Sequence, residues 1–188
     1  MNQHRSHRRL PAIWVALAFL GILTVSGCKK DEPLPPPAAS TATVSPGEAT
    51  TPALPPGMNL GTFAAFTGGV DAPGGHCQLD SLNGSGSPTN EATVGQKLSG
   101  GGWMIDAGAQ VPASATLVLA TQAAKYGMQL LPGGPRPDVA ATLKNPAFET
   151  AGFNFEADTS GVAAGDYEIY IVFADGKSCG VNKSIALK

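Results

Sequence analysis

The chain is poor in the side chains that carry most enzyme chemistry. Charged residues make up 14% and aromatics 6% of its 188 residues, and it holds four arginines, three histidines and three cysteines. Nucleophilic catalysis needs a hydroxyl or thiol beside a base, yet beyond residue 27 the only histidine is His76, in the turn PGGHCQ, and no GxSxG elbow precedes a helix. His76 most simply caps the end of a strand. Neither GTFAAFTGGV nor NGSGSP is a P-loop or a dinucleotide fingerprint. There is no CxxC pair, so no metal and no cofactor are implied, and the loops ADTSG and FADGK lack the ligand density of an EF-hand. What is abundant is glycine (24) and proline (16), which favours a loop-rich β domain over a helical bundle.

Long apolar runs are scarce too, with one exception. Residues 10–27, LPAIWVALAFLGILTVSG, follow a basic head of His4, Arg5, His7, Arg8 and Arg9. This is the layout of a secretory signal, in which the basic head stays cytoplasmic and the small Ser26 and Gly27 leave the backbone open to a peptidase. The rival is a retained membrane anchor. That normally needs about 20 apolar residues, and this run has eighteen, including Pro11, Ser26 and Gly27.

Val25, Ser26, Gly27 and Cys28 resemble the lipobox of bacterial lipoproteins, with valine in place of the usual first leucine. The resemblance implies that the Cys28 sulfur receives a diacylglyceryl group, that residues 1–27 are cut away, and that the new amino terminus is acylated. Two or three acyl chains hold a protein at a bilayer where one does so only marginally. Lys29 and Lys30 would then sit at the headgroups, each adding on the order of 1 kcal/mol at an anionic surface. By the same resemblance to bacterial lipoproteins, Lys29 in place of aspartate after the cysteine favours export to an outer membrane, facing the periplasm or the cell surface.

Assigning Cys28 to lipid leaves an even number of cysteines. Cys77 and Cys179 are then expected to pair in an oxidising compartment, the alternative being two buried free thiols. Loss of the leader's three arginines moves the formal charge from −2 to −5. An acidic domain whose one remaining arginine is Arg136 has no basic face for phosphates, which argues against nucleic acid as a partner.

Residues 28–57 begin with the anchor cysteine and continue as a run of proline, alanine, serine and threonine with almost no large side chains. Such a stretch cannot bury enough apolar area to fold, so it reads as a disordered linker. In extended polyproline conformation, at about 3.1 Å per residue, it would lift a domain several tens of ångströms from the membrane. The proline motif LPPP is a weaker candidate for recognition by a partner.

The folded domain is expected over residues 58–188. Seven stretches combine alternating or β-branched residues with flanking turn signals: HCQLDSLN, KLSGGGWMID, ATLVLATQ, KYGMQLL, GFNFEAD, DYEIYIVFA and KSCGVNKSIAL. In the sixth, Tyr167, Ile169, Ile171 and Phe173 fall on one face and Tyr170 and Val172 on the other, the mark of a central strand covered on both sides. Leu117 and Leu119 share a face in the third. One short helix is expected in PDVAATLKNP, capped by Asp138 through the amides of Ala140 or Ala141 and stopped by Pro146.

Gly102 with Trp103 and Asp106, Arg136 with Asp138 and Val139, and Gly152 with Phe153 resemble an immunoglobulin-like module of bacterial envelope proteins, often attached to glycan or membrane-glycosylation machinery. The match covers roughly residues 77–187. It implies an all-β, antiparallel immunoglobulin-like sandwich and a neighbourhood, without a reaction.

The candidate site residues are accordingly Cys28 for lipid, Cys77 and Cys179 for the disulfide, and Trp103, Asp106, Arg136 and Asp138 for binding or structure. Arg136 is expected to pin a carboxylate or backbone carbonyls, and Trp103 to pack in the core unless its indole is open to a sugar. Asp80, Asp106, Asp138, Glu156, Asp158 and Asp166 are the carboxylates a glycosidase could use, although most fall at turns, where aspartate bonds neighbouring amides. The expected function is a lipid-anchored, non-catalytic envelope protein presenting its domain to a glycan or an envelope protein. The alternatives are a small enzyme or inhibitor acting on envelope polymers, and a purely structural lipoprotein.

Overall fold

A computed structural model of the chain describes residues 53–188. The leader, Cys28 with its lipobox and the linker as far as residue 52 lie outside the described residues. Ten strands and two short helical turns follow one another: β1 (Met58–Thr62), β2 (Ala64–Ala65), β3 (His76–Leu82), β4 (Thr89–Ala92), β5 (Lys97–Ile105), β6 (Ala115–Ala120), β7 (Lys125–Leu130), α1 (Pro137–Thr142), a 3-10 turn (Pro146–Thr150), β8 (Gly152–Asp158), β9 (Gly165–Phe173) and β10 (Ser178–Leu187). The strands β3 and β5 to β10 occupy the seven stretches whose patterning announced them. The other three are short, and their sequences, MNLGT, AA and TNEA, carry little alternation.

The strands form a four-stranded sheet, ordered β1-β8-β5-β3, and a six-stranded sheet, ordered β2-β7-β6-β9-β10-β4. The expectation of a wholly antiparallel arrangement is corrected at two edges, because β1 runs parallel to β8 and β4 parallel to β10. A tight turn forces antiparallel pairing between sequential neighbours, and neither of these pairs is joined by one. Both sheets are therefore mixed.

The inner faces meet in one core. Leu98, Met104, Phe153 and Phe155 from the smaller sheet pack with Leu117, Leu119, Met128, Ile169 and Ile171 from the larger. Fully burying each such side chain contributes about 1.5–3 kcal/mol. Strand β9 lies between β6 and β10 and is covered on both faces: Tyr167, Ile169, Ile171 and Phe173 join this core, while Tyr170 and Val172 join an outer cluster with Val118, Ala120, Phe66 and Val70. Phe66 and Val70 belong to a glycine-rich strap across that outer face, fastened where Lys125 Nζ donates to the Gly68 carbonyl at 2.9 Å and Ser178 Oγ to the Val70 carbonyl at 2.6 Å.

The smaller sheet is covered differently. The turns α1 and Pro146–Thr150 lay Val139, Ala140 and Phe148 against Ile105 and the half-buried Trp103. Alternation along β5 explains why, since Leu98 and Met104 point inward and Trp103 points out. Between them, Gly102 permits a close approach of β3: a Cβ there would lie 2.0 Å from the Gln78 carbonyl oxygen.

Two pins join the layers, one on each open side. On the first, the buried Asn59 of β1 places Nδ2 3.0 Å from the carbonyl oxygens of Gly57, Leu131 and Asn154, and its Oδ1 accepts from the Leu131 amide at 2.7 Å. On the second, Cys77 of β3 and Cys179 of β10 lie at disulfide distance, with 2.06 Å between sulfurs and 6.0 Å between Cα atoms.

Candidate functional site

Three of the four residues singled out for binding or structure converge. Trp103 projects from β5, and Arg136 and Asp138 stand at the start of α1, which lies over the same face of the sheet. They line a cleft of about 280 Å³ together with Gln78, Asp80, Val139, Thr142 and Leu143. Its two halves differ. Trp103, Val139 and the partly exposed Leu143 supply carbon, whereas Gln78, Asp80, Arg136 and Asp138 supply polar groups.

The polar half is organised by one guanidinium. Arg136 Nε and Nη2 donate to the two oxygens of Asp138 at 2.9 and 2.7 Å, and Nη1 donates to Asp80 Oδ2 at 2.7 Å. Bidentate, charge-assisted bonds of this kind fix both distance and plane. The arginine side chain is 17% exposed against 43% for Asp80 and 63% for Asp138, so the cation is the buried member and the anions face solvent. Hydrogen bonding from Arg136 holds the Asp138 carboxyl down at about 2, well below its ordinary value. Gly152 accommodates the arginine stem, because a Cβ there would lie 2.9 Å from Arg136 Cγ.

The same clasp corrects the expected cap. The N-cap of α1 is Arg136, with no side-chain cap bond, and Asp138 lies inside the first turn. A carboxylate offered either a neutral amide or a bidentate guanidinium gains more from the second. Pro146 does not merely end the segment; it opens the following turn, whose N-cap Asn145 accepts from the Ala147 amide at 3.1 Å.

Asp106 stands apart from this cluster. Its Oδ1 accepts from the amides of Gly108 and Gln110, both at 2.9 Å, and so shapes the turn after β5. Other candidate carboxylates have comparable local duties. Glu156 pairs with Lys97, and Asp158 accepts from the Ser160 amide at 2.7 Å, a bond that lowers its pKa. In the loop FADGK, Asp175 accepts from the Lys177 amide. Asp166 lies on the larger sheet, in a shallow trough that also contains Glu168 and Tyr170. There the phenol donates to Glu168, which raises the Tyr170 pKa. His76 opens β3 beside Cys77 and is exposed.

Gln78 and Thr142 drew no notice in the sequence. Gln78 stands two residues before Asp80 on a strand, and that period was the available signal. Thr142 needed the placement of α1. Among the described residues, no group of three or more histidine, cysteine, aspartate or glutamate side chains is placed to hold a metal ion, and no helix is long and apolar enough to cross a membrane. Compared with known proteins, the chain matches no protein family, no curated protein and no solved structure.

Proposed function

We propose that the chain is a lipid-anchored protein of the cell envelope that presents a non-catalytic, immunoglobulin-like β-sandwich to a glycan or protein partner. The observation that carries the proposal is the pairing of Cys77 with Cys179 across the two sheets, which leaves Cys28, directly behind the apolar run, as the third cysteine. A disulfide of this kind belongs to an oxidising compartment. Acylation of Cys28 accounts for the remaining thiol and keeps the exported domain at a membrane, with the linker as its stalk.

The carboxylates favour binding over catalysis. A glycosidase needs one carboxyl group that stays protonated near neutral pH. Asp138 is held ionised instead, and its neighbour Asp80 is tied to the same guanidinium. Such an arrangement presents fixed acceptors beside an aromatic side chain.

Mass spectrometry of the processed amino terminus should find acylated Cys28, and the protein should stay with membranes washed in salt and carbonate. Crosslinking in the native envelope should then recover a glycan or protein attached through the domain. Release of the processed protein into the wash would overturn the anchor. Recovery of lipid alone would overturn the binding role.

A further inference from the structure

We infer that the cleft between β3, β5 and α1 is a subsite for one neutral sugar ring, packed on Trp103 and Leu143 and hydrogen-bonded through its hydroxyls to Gln78, Asp80 and Arg136. The inference rests on the reading of the domain as a binding module and adds the ligand class, the place and the roles of the side chains.

The division of the cleft carries it. A pyranose has a face of C–H groups and a perimeter of hydroxyls, each both donor and acceptor. One half of the cleft offers an indole and an aliphatic wall, and the other offers a carboxamide, carboxylates and a guanidinium. Three of the five guanidinium N–H groups are spent on Asp138 and Asp80, which leaves two for a ligand. Asp80 meets Arg136 through Oδ2, so its Oδ1 remains to accept from a hydroxyl. The exposed Gln78 amide supplies a further donor and acceptor.

The guanidinium and its two carboxylates are preorganised, because the clasp orients them before any ligand arrives. Preorganisation lowers the ordering cost of binding. Size limits the occupant: about 280 Å³ lies just below the usual range of about 300–1,000 Å³ for small-ligand sites, which suits a single ring. A ligand with that few atoms should bind weakly, with a dissociation constant on the order of 1 mM.

The chain offers its own reporter. Its two tryptophans are Trp14 and Trp103, so the full chain carrying Trp14→Phe has Trp103 as its sole indole. In detergent, titration with neutral methyl glycosides should give a saturable change in fluorescence, little altered by salt at about 0.5 M, where the Debye length is down to about 4 Å. Gln78→Ala and Leu143→Ala alter exposed side chains, and each should weaken binding by about fivefold with the unfolding midpoint unchanged, fivefold being roughly the loss of one hydrogen bond or one apolar contact.

No saturable change with any glycoside up to about a hundred times the expected constant would overturn the subsite, as would an affinity in both variants unchanged from that of the parent chain. Binding confined to ammonium compounds and abolished by salt would overturn the assignment to hydroxyls. Crosslinking in the envelope separates the two levels: a protein partner captured while glycosides fail leaves the binding module standing and removes the sugar subsite.

Discussion

The two open sides of the fold are held by different chemistry. On one, the buried amide of Asn59 bonds β1 to β8 and to the residue after β7, and the chain itself passes from the smaller sheet to the larger through the single residue Phe63 between β1 and β2. On the other, β3 and β10 are tied through sulfur. The amide acts in the folded state, where it satisfies specific carbonyls. The disulfide acts largely on the unfolded chain, by removing conformations that 102 residues of separation would otherwise allow. The first is therefore indifferent to redox conditions, and the second depends on them.

The largest expected effect separates them directly. Replacing Cys77 and Cys179 together by serine, or reducing the wild type, should lower stability by about 4–5 kcal/mol on the chain-entropy account, read as a shift of the denaturant midpoint. Hydrogen exchange should localise the damage. The Leu131 amide, which donates to Asn59 Oδ1, should stay among the last to exchange relative to the new global stability. A loss below about 1 kcal/mol would mean that packing alone closes the β3 and β10 side, contrary to the entropic account.

Next in size is Asn59→Ala. It leaves the Leu131 amide and three carbonyl oxygens without their side-chain partner, at an expected cost of about 3 kcal/mol. The loss should be the same with and without reductant. Combined with the serine pair, it should add within about 0.5 kcal/mol, because the two pins share no partner. Strong coupling would show that the two sides act as one unit.

The asymmetry between the pins also marks what was legible in the sequence. Cysteine parity pointed to Cys77 and Cys179, whereas an asparagine in MNLGT carries no such signal, and its three acceptors lie up to 95 residues away. The long strands were readable because alternation is local, as in Tyr167 to Phe173. Edge strands β1, β2 and β4 were not, since their pairing partners are distant, the side chains of β2 and β4 are small or polar, and β1 buries its asparagine while leaving Leu60 exposed. The same limit applies to the cleft. Arg136 and Asp138 are two residues apart and their pairing could be anticipated, but Asp80 joins them from 56 residues away. Trp103, expected in the core, is half-buried because α1 covers only part of it.

The smallest expected effect concerns the clasp that joins the helical crossover to β3, the strand that also bears the disulfide. Arg136 links Asp138 on α1 to Asp80 on β3, so the crossover after the Asn59 side is fastened to the cysteine side by a charge that pH can unbalance. The Asp138 pKa is depressed from 3.8 to about 2 in the folded state by its hydrogen bonds to Arg136. A depressed carboxyl takes up its proton more readily when unfolded, so the clasp's contribution is fully present above the ordinary value and fades as pH falls through about 2. Titration of the Asp138 carboxyl by NMR should give a midpoint near 2, and Arg136→Lys, which keeps the charge but loses the bidentate fork, should move it back toward 3.8. Asp138→Asn should flatten the acid slope of stability only in part, because Asp158, lowered by the Ser160 amide, loses its own stabilisation in the same direction. An Asp138 midpoint unchanged in Arg136→Lys would mean that charge alone sets it. The two sides of the fold would then be joined at this point by an ordinary surface ion pair, with the crossover free to move independently of the disulfide.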